Sequence, residues 1–268
     1  MAHPPVRRGL LAAVGVPQRR ELGPGPSAPG GSGSKGPAGT LPSWLRWWEI
    51  PAVEVAYLAV RADQVDAALP VLARIEASLV VTLVNLADRA DEVASTIGVD
   101  RTLLGFAGVG GTRTADGVAY QEVEQQATTI GGAEGREKDV VDDLRGAGLK
   151  VDVVPDMLPW LATHAVFIAG VGAAILEAGG SEQLGSDRDR STRMVASVRE
   201  GFAALDDQGI TVTPSSLRVI FTVVPRFISV RYWQRQMRGD LGRLALAPHI
   251  TATRDTEFPQ LAAAARRL

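Results

Sequence analysis

Three histidines, three lysines and no cysteine bound the chemistry open to this chain of 268 residues. His3, His164 and His249 stand far apart in sequence and predict no multi-histidine metal site. With no cysteine there is no disulfide, zinc–thiolate site, iron–sulfur cluster or thiol nucleophile. A mechanism that needs a lysine can draw only on Lys35, Lys138 or Lys150. Neither a Ser-His-Asp arrangement nor a G-x-S-x-G elbow is spelled out. Asp142-Asp143 and Asp206-Asp207 fall on polar faces or ends of helical patterns and read as solvated surface, not as acid–base pairs. His164 sits in an uncharged run and reads as a core histidine.

Glycine supplies the other candidate chemistry, because a G-x-G-x-x-G turn between strand and helix cradles a dinucleotide pyrophosphate. The nearest spelling is VFIAGVGAAI at 166–175, where Gly170 and Gly172 are followed by Ile175 in the third place. It reads better as a glycine-containing buried helix. Gly108, Gly110 and Gly111 form no full fingerprint, since Arg113 holds the third place. They predict a flexible loop at a strand end, where α/β sheets bind ligands.

The elements that must carry these residues follow from periodicity. Residues 23–39 (GPGPSAPGGSGSKGPAG) are almost all Gly, Pro and Ser, which predicts a disordered segment over 1–50, ending near Trp44, Trp47 and Trp48. From 51 to 155 short apolar runs alternate with helical patterns: strands at 53–60, 79–84, 102–106 and 150–154, helices opening at Asp63, Arg89 and Arg136. Extended, partly exposed strands fit 118–130. Beyond 156 the pattern is helical throughout, with starts at Met157, Asp187 and Thr213-Pro214 and stops at Gly179 and Gly209. The expectation is α/β plus all-α: a truncated Rossmann-like parallel sheet, then a helical C-terminal half over 156–268. Residues 157–176 carry no charge over a span's length; Pro159, His164 and the lack of a second such run favour a helix buried in a globular core. The apolar run after Arg7-Arg8 is too short to favour a secretory signal. Hydrophobic residues at 46%, charged residues at 22% and a net charge of −2 describe an ordinary globular chain with no global field for nucleic acid or acidic lipid.

In order and spacing, VEVAYLAVRADQVDAALP, VVTLVNLADRADEV, VDRTLLGFAGVGGTR, DGVAYQEVEQQATTIG, LPWLATHAVFIAGVGAAI and MVASVREGFAALDDQGITVTP resemble the ketopantoate reductase (2-dehydropantoate 2-reductase) family, closest to a divergent branch. The similarity runs over about 52–259. It implies NADPH-dependent reduction of a 2-oxo acid, ketopantoate to pantoate, in a cleft between a Rossmann domain and a helical one, in a cytoplasmic protein with no nucleic-acid or membrane partner and room for a homodimer. It places Arg61 and Gln64 near the cofactor phosphates, Asn85 against cofactor and substrate as a catalytic-site residue, and Glu257 on the substrate hydroxyls, with Arg113 as a further substrate-binding candidate. Two departures are plain. The family's glycine fingerprint and first strands belong before residue 52, where this chain has its Gly/Pro tract. The catalytic lysine falls two residues after a tryptophan; here the tryptophan is Trp160 and the position holds Ala162. An impaired reductase and a non-catalytic remnant serving as a binding or oligomerisation module are the two expectations.

Overall fold

The computed structural model describes residues 52–114, 117–122, 126–132 and 134–268, with the backbone alone over 110–122. The segment expected to be disordered, and its tryptophans, lie outside the described residues. The first half carries the strands β1 (Val53–Leu58), β2 (Ala77–Leu83), β3 (Thr102–Phe106), β4 (Val109–Thr114), β5 (Gly117–Glu122), β6 (Thr128–Gly131) and β7 (Val151–Val154). Five of them make one sheet in the order β1-β2-β3-β6-β7. All neighbours in it are parallel except β3 and β6, which pair antiparallel with Gly105 opposite Ile130. β2 runs inside the sheet with Val80, Val81 and Thr82 fully buried, the apolar continuity expected of a strand covered on both faces.

The covers are helical. α1 (Val65–Leu72) and α2 (Ala90–Ile97) lay Val65, Leu69, Val93 and Ile97 on the face that carries Val80. α3 (Glu137–Gly146) lays Val140, Val141 and Leu144 on the other, against Tyr57, Val81 and Leu103. That burial, with the nearby charge of Asp143, pushes the Tyr57 hydroxyl up to about 12. Arg101 ties the first layer together: its guanidinium donates to the carbonyls of Leu72, Ile75 and Ile97 at 2.7–2.8 Å, satisfying orphan acceptors at the ends of α1 and α2. The helix expected to open at Asp63 begins differently. A single turn, Ala62–Gln64, precedes α1, and Gln64 Oε1 accepts from the Arg61 backbone N–H at 3.3 Å.

The glycine-rich stretch after β3 is not a loop. β4 and β5 pair antiparallel as a separate two-stranded arm. Six consecutive pairings hold it, and the alternating VAYQE run supplies the partner strand.

The second half is built on α4 (Met157–Ala178), capped by Asp156 Oδ1, which accepts from the Leu158 N–H at 2.9 Å, and ended by Gly179 at φ +81°. α5 (Ser181–Ser186), α6 (Arg188–Asp207), α7 (Ser215–Arg218), α8 (Arg226–Arg238), α9 (Ala247–Thr253) and α10 (Glu257–Ala265) follow. Asp187 caps α6 through its Oδ1, which accepts from the N–H groups of Asp189 and Arg190, as its place in the sequence suggests. Gly170 and Gly172 serve packing, not phosphate binding. A Cβ on Gly170 would stand 2.7 Å from Val198 Cγ2, and one on Gly172 would strike the Phe258 ring. α4 is long and apolar enough to cross a bilayer, yet 67% of its apolar window is buried inside this chain. Its burial is divided along its length. Met157, Trp160 and Leu161 pack on the sheet, whereas 162–175 are enclosed by the later helices.

Candidate functional site at the strand ends

The carboxyl ends of β1 and β2 are where open α/β sheets bind ligands, and most of the expected site residues converge there. After β1 the chain turns through Arg61. The Arg61 guanidinium binds both oxygens of Asp63 at 2.9 and 3.0 Å, which holds its pKa above the usual value, with the nearby charge of Glu257 adding to the effect. The Ala62 N–H donates to Glu257 Oε1 at 3.0 Å, a link across 195 residues from sheet to α10. Glu257 Oε2 lies 4.0 Å from His249 Nε2. Arg61, Gln64 and Glu257 are therefore brought together, and His249, which sequence alone offered only as an isolated imidazole, joins them.

Asn85 sits just past β2, half-buried, and its Oδ1 is buried with no hydrogen-bond partner among the described residues. A buried acceptor without a donor is costly unless a ligand or water completes it. Asn85, Ala62, Asp88 and Arg89 line a cavity of about 240 Å³, closed from the helical side by Gln260 and Arg267. Arg267 Nε binds Asp88 at 2.6 Å, pinning the C-terminal helix over the opening. Two residues past Asn85, Ala87 adopts φ +47°, a left-handed conformation that L-residues with a Cβ avoid and that often marks a functional turn. No sequence signal separates Ala87 from its neighbours.

On the helix side, the position expected to carry lysine is closed. Ala162 is 4% exposed and shares its apolar cluster with Ala87 and Ala165. Two residues before and after it stand Trp160 and His164, whose rings stack at 5.0 Å and 9°, with Phe106 4.4 Å from the imidazole. Burial, with a smaller contribution from His249, pushes His164 down to about 3. His164 is thus a neutral, aromatic-boxed base and not a cation. Lys138 lies on α3, across the sheet from the start of α4. Lys150 precedes β7, roughly 13 Å of strand away from α4. Arg113 lies on β4, in the arm, and its side chain is outside the described residues.

A nicotinamide dinucleotide fits these residues poorly. Among the described residues no G-x-G-x-x-G turn joins a strand to a helix N-terminus: the turn from β6 to α3 carries Gly131, Gly132 and Gly135 at another spacing, and the Gly135 N–H donates to Glu137 Oε2 at 3.0 Å. Arg61 is already paired, and the cavity is below the roughly 300–1,000 Å³ usual for ligand clefts.

No protein-family model matches the chain, and no curated protein is similar to it in sequence. Solved structures do match in fold. A D-mandelate dehydrogenase solved with NADH superposes with a TM-score of 0.60 at 13% identity, covering 81% of this chain and 71% of the dehydrogenase. The 2-dehydropantoate 2-reductase of Methylococcus capsulatus gives 0.54 at 17%, covering 81% and 74%. A dimeric ketopantoate reductase of Staphylococcus aureus gives 0.54 at 10%, covering 82% and 78%. Over its described residues the chain has the fold shared by the ketopantoate reductases, a Rossmann-like, mainly parallel sheet followed by a helical half, in a widely divergent sequence.

Proposed function

We propose that the chain is a catalytically impaired relative of the NADPH-dependent 2-oxo acid reductases, of the ketopantoate-to-pantoate type, and that it works as a binding module. The observation that carries this reading is Ala162, buried among apolar side chains where the resemblance calls for a lysine. Hydride arriving at a carbonyl carbon leaves negative charge on the oxygen, and a cation or strong donor must meet it; removing one such donor costs about 2.7–4 kcal/mol, roughly 100- to 1000-fold in rate. His164, neutral in its aromatic box, does not substitute. In this reading residues 51–155 are a partial nucleotide-binding domain and 156–268 the helical domain. Asn85, Arg61, Gln64 and Glu257, with Arg113 from the arm, are the inherited ligand contacts of a cytoplasmic protein able to form a homodimer. Asn85 Oδ1, unpartnered and buried, accepts from a hydroxyl or amide of a small ligand. That same atom favours a second reading, in which reduction of a 2-oxo acid persists.

Calorimetric titration of the full chain with NADPH separates the two. The proposal expects no binding at micromolar cofactor, because no G-x-G-x-x-G turn among the described residues brings a helix N-terminus to the pyrophosphate. A saturating micromolar isotherm overturns the impaired reading and restores the reductase one.

A further inference from the structure

A basic and apolar stretch of surface lies far along the chain from the strand ends. Between residues 208 and 239 there is no Asp or Glu, and arginines stand at 218, 226, 231, 235 and 238, all of them exposed. Interleaved with them are large apolar side chains in water: Val223 is 68% exposed and Phe227 67%, with Val219, Ile228 and Tyr232 beside them. The reason is geometric. α8 turns Ser229, Val230, Trp233 and Met237 into the core, so 227, 231 and 235, one turn apart, must face outward, continued by Val223 of the preceding turn, Val219–Val223. No ion pair engages these five arginines among the described residues. Arg226 donates only to the Thr192 carbonyl, and Arg238 only to that of Gln234.

We propose that this face, α8 with the turn before it, docks the protein on an anionic lipid surface. Aromatic and aliphatic side chains flanked by arginines on one helix face are the composition of an interfacial helix, and the arginines gain from the negative potential of an acidic leaflet. A two-fold contact between copies through this face would set Arg231, Arg235 and Arg238 against the same residues of the second copy, which like-charge repulsion disfavours. An acidic protein partner would answer the arginines, whereas a bilayer also takes up Val223 and Phe227, which stand 68% and 67% exposed. A bilayer needs only apolar area and counter-charge. The whole-chain charge of −2 hides the patch because the acidic residues are concentrated elsewhere.

The full chain is sedimented with phosphatidylcholine vesicles and with vesicles containing about 30% phosphatidylglycerol, a typical anionic fraction. At least tenfold more protein is expected on the anionic vesicles, falling in about 0.5 M salt as screening shortens the field. Phe227→Asp and the pair Arg231→Glu with Arg235→Glu should each reduce that binding at least tenfold while leaving the melting temperature unchanged, since these side chains are exposed. Variants confined to α8 also separate this face from the basic residues of 1–50. Equal binding to both vesicle types, or variants that sediment like the wild type, would overturn the proposal. So would retention on polyglutamate without vesicle binding, or a dimer that Phe227→Asp disperses.

Discussion

His164 is held as a neutral base by Trp160, Phe106 and burial, and that sets a pH dependence. In the unfolded chain the imidazole takes its proton near pH 6.5; in the folded protein it resists until about 3. Between those values the unfolded state binds the extra proton, so the neutral imidazole's contribution to stability is present above pH 6.5 and is lost as pH falls toward 3. A tenfold difference in proton affinity is worth about 1.4 kcal/mol, which makes the loss of the order of a few kcal/mol. His164→Phe keeps an aromatic ring in the box and removes the proton site. Its melting temperature at pH 4 is therefore expected to fall less, relative to pH 7, than that of the wild type. Equal acid sensitivity of the two proteins would show that His164 is not the buried neutral base described. Ala87 is the companion strained residue: its left-handed backbone shapes the turn that carries Asn85.

At the scale of elements, α4 decides how the halves communicate. Its first turn belongs to the sheet's core and the remainder to the helical core. Phe167 lies in the second, 5.3 Å from the Trp233 ring and 6.0 Å from that of Phe221. Phe167→Asp would leave an uncompensated charge among aromatic rings and is expected to cost about 3–5 kcal/mol, read as a drop in urea midpoint with unchanged slope. An unchanged midpoint would place Phe167 outside the core. That α4 is a buried helix was legible from its uncharged run with Pro159 near the start and glycine at the end, as was the α6 cap from Asp187. The β4–β5 arm was not. Its glycines signal a loop, and only pairing with the strand that follows converts them to sheet, a tertiary gain that local propensity does not encode. The sheet order was readable only as far as parallel alternation; the antiparallel step from β3 to β6 depends on how the arm folds back.

At the scale of the whole molecule, the fold shared by the ketopantoate reductases is present over the described residues, and the position that the resemblance assigns to lysine holds a buried alanine. The resemblance singled out Arg61, Gln64 and Asn85 near strand ends and Glu257 late in the chain, and the fold brings Arg61, Gln64 and Glu257 together beside the cavity that Asn85 lines. The links that close the cleft, Ala62 to Glu257 and Asp88 to Arg267, span 195 and 179 residues, and nothing local announces them. The central proposal is that a buried alanine at 162, with no G-x-G-x-x-G turn among the described residues, leaves the fold without its reduction. It is tested by following NADPH absorbance with ketopantoate, for the unmodified chain and for Ala162→Lys. The expected result is no consumption above the enzyme-free rate for either protein, with Ala162→Lys also melting lower because it forces a charge into an apolar cluster. Steady turnover by the unmodified chain, with a rate proportional to protein concentration, would contradict the account.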